Sequence, residues 1–509
     1  MVTNKIAVQP FNVDGFKRML TETSYSTLTG HVVEQVSYLA RYCSWLEAKT
    51  VVSEGHYIDR HFLDEHALYY SRNLQPPPNF VRRFHLFARS ISDNQLSKLF
   101  EQRAAISADR EKVKRLERQL SDDYLGFISI RPIPSVPVGR TILRCLDDGT
   151  PRDMPATGDH DVHLGNLKLH VNGLAFQQQD LAVGACATAA LWSALHKVTR
   201  YEGIRAPTPA EVSQAAARNG LPFGRTVPAT AGLSVPQLCD AVRAAGFAPE
   251  VLNTAEPELF VLALHSYLLS GIPVVLVLGR KDGYHAVTAL GFQYAGDGPA
   301  PELMTSIPAR SARINKLYIH DDGVGPYARS FLVPRPRTKK NRDALLLGIE
   351  EQRPDVKTSG DPDPKNLKLW WIDSAIVPVY PKLRLSARSL ITLADLVGDA
   401  MEEVVGSMAS KLSVEMFYER AGSFLSRLGE VAGSDINSFM RRIALSRWCG
   451  IVRWFLDEKP LAEFVYDTTD ILRDTRRHGA ELIRAVVCLD AAYRSHLEKV
   501  AAALKTVYV

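Results

Sequence analysis

Apolar residues recur at helical spacing over some stretches of the chain and at alternate positions over others. In the first 125 residues, TGHVVEQVSYLARYCSWLEAK carries an apolar helical stripe, and the PPP run at 76–78 starts a new segment. From Ser92 to about Asp123 the pattern becomes charged. Ser92 stands as a helix N-cap, and Leu96, Leu99, Phe100, Ile106, Val113, Leu116 and Leu120 form a sparse stripe behind it. One long helix fits this stretch, and so does a helical hairpin broken near Ser107–Asp109. Residues 1–125 therefore read as a helical region.

The texture changes near Tyr124. GFISIRPIPSVPVGRTIL is extended and Pro-rich, and HLGNLKLHV alternates at Leu167, Leu169 and Val171 as a strand does. Helices follow. CATAALWSALHKV starts at Cys186, TPAEVSQAAARNG is capped by Thr208, and SVPQLCDAVRAAG is capped by Ser234 and stopped by Gly246. A further helix over 257–269 ends at Gly271. Strands come next: IPVVLVLG, YHAVTALGFQY, KLYIH, SFLV and WWIDSAIVPVY. Helices first and sheet second make residues 126–385 an α+β unit. From Ser386 to Val509 the tracts SARSLITLADLVGDAMEEVVGSM, NSFMRRIALSRWCGIVRWFLDE and GAELIRAVVCLDAAYRSHLEKVAAAL have amphipathic spacing, with breaks at Gly433–Ser434 and Lys459–Pro460. They predict a C-terminal helical bundle.

Composition narrows the function classes. The chain has 509 residues, 46% hydrophobic and 23% charged, which suits globular domains rather than a disordered chain. Its 61 Lys and Arg against 56 Asp and Glu give a formal charge of +5, too small an excess to indicate nucleic acid or an anionic membrane as partner. The six cysteines are dispersed, with no CxxC pair, so neither a disulfide framework nor a structural zinc site is expected. The N-terminus lacks a secretion-signal pattern. The most apolar stretch, FVLALHSYLLSGIPVVLVLG, is interrupted by His265, Ser266, Ser270, Gly271 and Pro273 and reads as a helix followed by a buried strand. A cytoplasmic protein is the expectation.

The chemistry concentrates in QQQDLAVGACATAALWSAL, residues 177–195. A Gln-rich strand end leads through a glycine turn at Gly184 into a helix that begins at Cys186. A thiol at a helix N-terminus meets the positive end of the helix dipole and unpaired N–H groups, which favour the thiolate. Ala187, Ala189 and Ala190 let other elements approach. An upstream glutamine amide beside the cysteine N–H makes an oxyanion hole. His285, at the start of the strand after a hairpin, is the candidate base. Asp321 and Asp322, where the following strand stops, are candidates to orient it. The other five cysteines read as structural, and Cys43, Cys239, Cys449 and Cys488 among them sit in amphipathic helical contexts. His56, His61 and His66 recur every five residues, the wrong spacing for a helical metal pair.

The order Gln, Cys, His, Asp, with the CATAALWSAL helix and the GIPVV and YHAVTALG strands, resembles papain-like cysteine peptidases over about residues 160–385. It is most similar to the bacteriocin-leader-processing branch, which cleaves after double glycines. The resemblance implies a papain-like core, a helical lobe plus an antiparallel sheet lobe, flanked by the N-terminal and C-terminal helical regions. It implies Cys186 as nucleophile, His285 as general base, Asp321 as orienting acid and Gln179 as oxyanion-hole donor, with no metal or organic cofactor. A peptide or protein substrate follows, with small residues near the scissile bond. The helical flanks then serve to select a target or to bind a regulatory protein.

Departures accompany the resemblance. Gln179 lies seven residues before Cys186 where six is usual, so Gln177 and Gln178 compete for its role. Ala185 and Ala187 flank the cysteine where the family often has an acid and a glycine. The insertion AGDGPAPELMTSIPARSAR before the acid leaves Asp322 as an alternative third member. The leader-processing enzymes are usually fused to a transporter. This sequence shows no spanning run and no GxxxxGK[ST] motif, so that role does not transfer. Other readings of the same residues are a transamidase, amidase or isopeptidase, or a non-catalytic scaffold.

Overall fold

The computed structural model describes residues 6–21, 30–133, 135–147, 149, 152–179, 186–218, 232–281, 283–295, 309–333, 345–351, 364–432, 436–470 and 479–509. These residues build three main sheets and one hairpin, with helices packed between and around them. The expected papain-like arrangement of a helical lobe and a sheet lobe between helical flanks does not hold. The centre is a closed barrel, and each flank is built on a sheet of its own.

The first sheet orders β1 (Ile6–Pro10), β2 (Thr50–Tyr57), β3 (Val81–Phe87), β4 (Tyr124–Ile130) and β5 (Val138–Leu143), all antiparallel. Helices α1 (Val13–Thr21) and α2 (Gly30–Trp45) lie between β1 and β2, and α3 (Arg60–Glu65) follows β2. The charged stretch is a hairpin of α4 (Asp93–Ala105) and α5 (Arg110–Asp122). Ser92 caps α4 in a capping box with Gln95, and Asp109 caps α5. The N-terminal strands escape a helical reading of the sequence for a physical reason. In VRRFHLF, Arg83 and His85 are buried and bond to Glu54 of β2 at 2.6 and 3.0 Å. Polar letters therefore point inward, and no apolar–polar alternation survives.

The hairpin of β6 (Gly158–Leu164) and β7 (Leu167–Gly173) leads toward α6 (Cys186–Tyr201), α7 (Pro209–Ala216) and α8 (Val235–Ala244), capped by Thr208 and Ser234 where the sequence places the last two starts. β8 (Ala248–Asn253) and α9 (Pro257–Leu269) come next. The apolar stretch 260–279 divides at Gly271, whose φ of +72° turns α9 into β9 (Val274–Arg280). Among the described residues no helix is long and apolar enough to cross a membrane.

β9, β10 (Gly283–Tyr294), β11 (Ile314–Asp321), β12 (Gly325–Val333), β13 (Leu346–Glu350) and β14 (Leu367–Val379) close into a six-stranded antiparallel barrel. Closure depends on the length of β14. Its first half, to Trp371, pairs with β13; from Trp371 on, through a register shift at Ile372–Ser374, it pairs with β9, and from Ser374 also with β8. A strand of this length bends far enough to pair on both sides, which removes the sheet edges.

The C-terminal bundle predicted from amphipathic spacing is likewise corrected. After α10 (Ala387–Leu396) and α11 (Gly398–Val405), β15 (Leu412–Arg420), β16 (Trp448–Leu456), β17 (Lys459–Asp467), β18 (Ile483–Cys488) and β19 (Val507–Tyr508) form a five-stranded sheet. Helices α12 (Ala421–Ala432) and α13 (Ile436–Arg442) and a last helix, Arg494–Ala503, pack on it. The break at Lys459–Pro460 starts β17 after a hairpin turn through Asp457 and Glu458, both at positive φ. Glu415, Arg453 and Glu463 face one another across β15, β16 and β17, bonded at 3.0 and 2.7 Å. Charges paired across a ladder look, in sequence, like a solvated helix face. Cys449 and Cys488 consequently lie on strands. The break at Gly433–Ser434 falls outside the described residues. One buried apolar cluster runs from Phe16 to Ala501 through all three sheets.

Candidate active site

Small residues bring α6 against the barrel. Ala187, Ala190 and Ala194 are buried, and the helix packs on β10. The Thr288 hydroxyl of β10 donates to the Ala190 carbonyl at 2.7 Å. That bond lies one turn beyond Cys186 and three residues beyond His285, so it fixes the helix against the strand along both axes. Ser193 Oγ donates to the Ala175 carbonyl at 2.6 Å and ties the other side of α6 to the glutamine-bearing segment.

Cys186 is half-buried at the first described residue of α6, and its side chain is near enough to the His285 ring to help raise the imidazole's pKa. The ring Nε2 meets Asp321 Oδ1 at 2.9 Å. Asp321 ends β11, the neighbour of β10 in the barrel, and the same Oδ1 accepts the Gly323 N–H at 2.7 Å. Between the two candidate acids, Asp321 is the one bonded to the imidazole. Asp322 Oδ1 stands 3.8 Å from Nε2 and has no hydrogen-bond partner among the described residues. With Nε2 engaged by the acid, Nδ1 is the ring nitrogen left for the thiol. Trp370 of β14 lies beside the imidazole, ring centroids 5.3 Å apart, and limits water at the His–Asp pair.

Burial opposes charge on His285, but the Asp321 carboxylate and its hydrogen bond, the Cys186 hydrogen bond and the Asp322 charge together raise its pKa well above the ordinary value. Burial likewise pushes Asp321 up, and the His285 charge and hydrogen bond, the Gly323 N–H and Lys368 outweigh it and hold the carboxyl low. For Asp322 burial dominates and raises the carboxyl to about 6, opposed by the His285 charge and helped by the neighbouring Asp321 charge. Two adjacent carboxyls are thus driven apart, one held low against the imidazole and one raised above the ordinary carboxylate range.

The three glutamines differ in what they have left to offer. Gln177 donates its amide to buried Glu65 at 2.6 Å. Gln178 accepts from the Val138 N–H at 3.1 Å and donates to Gln35. Gln179 is half-buried, and its amide bonds to no other described residue. The Gly184 turn and Ala185 lie outside the described residues, as does most of the insertion before β11.

Among the described residues, His285, Asp321 and Asp322 are the group of three metal-ligand side chains whose donor atoms lie within 4.8 Å of one another. An ion held there would displace the Nε2–Asp321 bond that orients the ring. The histidines spaced by five do not meet at a metal: His61 accepts from Trp192 Nε1 at 3.3 Å, His66 bonds to the Pro77 carbonyl, and the His56 ring lies against Phe80.

Sequence reasoning missed Gln35 and Trp370. Gln35 is a buried polar residue on the apolar stripe that also holds Leu39 and Tyr42, a signal present in the helical pattern of α2. Trp370 belongs to the WW pair of a strand and carries no local mark of its role. Comparison of the chain with protein-family models gives no match, and comparison with curated proteins gives none either.

Proposed function

We propose that this chain is a cysteine peptidase that hydrolyses peptide bonds of a protein or peptide substrate through a thioester. The observation that carries this reading is the His285–Asp321 hydrogen bond with Cys186 acting on the same imidazole, three side chains from three elements and a site partly open to solvent. A protonated imidazole held by a buried carboxylate is the partner a reactive thiolate needs. The sulfur attacks the carbonyl carbon, and the Gln179 amide with the Cys186 N–H receives the developing oxyanion. The C–N bond then breaks, and His285 gives its proton to the leaving amine. A water, losing a proton to His285, attacks the thioester, releases the acid and restores the thiol. Asp321 keeps the ring in the orientation and tautomer these transfers need. The steps call on no metal ion or organic cofactor.

The test is labelling by a thiol-directed peptide electrophile, with a comparison of peptide termini released by wild type and by Cys186→Ala. Wild type is expected to label stoichiometrically at Cys186, and His285→Ala to lower turnover by about a hundredfold or more. Labelling no faster than that of a free thiol, with identical peptide termini in the two samples, refutes the reading. Product formation that depends on an added amine assigns the triad to transamidation. Chelation with EDTA is expected to leave the labelling rate unchanged. A rate lost to EDTA and restored by zinc replaces the thiol mechanism with a metal one at His285, Asp321 and Asp322.

A further inference from the structure

We propose that Gln35 of α2 is a positioning residue for the triad, and that it makes the N-terminal sheet region a working part of the site; this rests on the acyl-transfer reading above.

Gln35 is buried and uses both ends of its amide. Its Nε2 donates to the backbone carbonyl of Asp322 at 2.5 Å, across 287 residues of sequence. Its Oε1 accepts from Nε2 of Gln178, across 143 residues. One side chain therefore joins the two segments that the chemistry requires to stay in register. One is the strand end carrying Asp321 and Asp322, and the other is the run of glutamines ahead of Cys186.

Each segment has other anchors beside this bond. Gln178 is held on its far side by Val138 of β5, through backbone and side chain alike at 3.1 Å, and its carbonyl accepts from Arg131 of the same sheet region. The acid-bearing turn is held by the same helix one turn further on. Tyr38 donates its hydroxyl to the Pro326 carbonyl at 2.9 Å, and its ring lies so close to Gly325 that a Cβ there would come within 2.3 Å. Gly325 has a φ of +151°, so the turn needs glycine for its backbone as well as for this contact. Tyr42 continues the line by stacking on Tyr327 at 5.6 Å. Residues 35, 38 and 42 form one face of α2, and that face grips the backbone from Asp322 to Tyr327. The carboxylate of Asp321 is aimed at His285 by this grip. A neutral, two-ended amide suits the place, because it meets a carbonyl and an amide without bringing a charge to an already acidic strand end.

The experiment uses the full-length chain, with Gln35→Met, Gln35→Glu and Tyr38→Phe beside wild type. Gln35→Met preserves length and removes both bonds. Gln35→Glu keeps the acceptor and loses the donor to Asp322. Titration of His285 by NMR with 15N-labelled histidine, assigned through His285→Ala, reads the His–Asp geometry independently of turnover. The imidazole of Gln35→Met is expected to titrate at least one pH unit below that of wild type. The kcat is expected to fall about ten- to a hundredfold with KM within twofold, since misplacement by about 1 Å costs up to that factor. Gln35→Glu should share the fall in kcat, while its added negative charge opposes the downward shift of the imidazole. Loss of melting temperature with an unmoved titration and unmoved kcat would show a merely structural glutamine and overturn the proposal. Should Gln35→Met fail to fold, Tyr38→Phe supplies the same comparison on the next bond of the grip. Wild type with no reactivity at Cys186 refutes the acyl-transfer reading alone, and the titration then still decides whether Gln35 holds the Asp321 end in place.

Discussion

Two neighbouring aspartates differ in their hydrogen bonds, and their chemistry separates accordingly. Asp321 faces His285 at 2.9 Å, whereas the nearest Asp322 oxygen is 3.8 Å away. For the proposed hydrolase, Asp321→Asn is expected to lower kcat about a hundredfold or more, and Asp322→Asn by less than tenfold, in steady-state assays with one peptide substrate. Asp322 has an opposite effect on stability. Its folded pKa, about 6, lies above the ordinary 3.8, so the folded state holds the proton more tightly. Stability therefore falls as pH rises from about 4 to 6, and the deficit is complete above that window. Two pH units correspond to about 3 kcal/mol as an upper bound. Asp322→Asn should consequently be more stable than wild type at pH 8 and close to it at pH 4, as read by urea unfolding. The cysteine, the histidine and the acid pair were legible in the sequence because each sits at the end of a recognisable element. The choice between the acids was not, since it depends on a strand end only a few tenths of a nanometre long. Gln35 was hidden because its partners lie in other parts of the chain.

At the scale of elements, the helices that carry their own start and stop signals were legible. Ser92, Thr208 and Ser234 cap the helices they were assigned, and Gly246 and Gly271 follow helix ends at positive φ. The strands of the first and last sheets were not, because their inward positions include charged residues neutralised by partners on neighbouring strands. Glu463 is the extreme case. Fully buried, it bonds to Arg427 at 2.9 Å and to Arg453 at 2.7 Å. Glu463→Ala leaves both guanidinium groups without that carboxylate and is expected to cost about 3–5 kcal/mol in chemical denaturation. A cost below about 1 kcal/mol would mean that Glu415 and Glu419 suffice to pair the two arginines.

At the scale of the molecule, the apolar interior is shared. The cluster that begins at Phe16 continues through the barrel to Ala501, and α9 packs on strands of both the barrel and the last sheet. A single cooperative transition in calorimetry is the expected outcome, with calorimetric and van't Hoff enthalpies in agreement. Three resolved transitions would show that the sheets unfold as independent domains. The barrel itself was foreshadowed strand by strand in the sequence, but its closure was not, because closing depends on β14 bending to pair on both sides. The long reach of the Gln35–Asp322 bond has a further consequence during synthesis. On the ribosome Cys186 emerges before His285 and His285 before Asp321, while Gln35 precedes all three. A nascent chain that ends short of Asp321 thus lacks the carboxylate that faces the imidazole, so the chemistry proposed for this site waits for the barrel strands to be made.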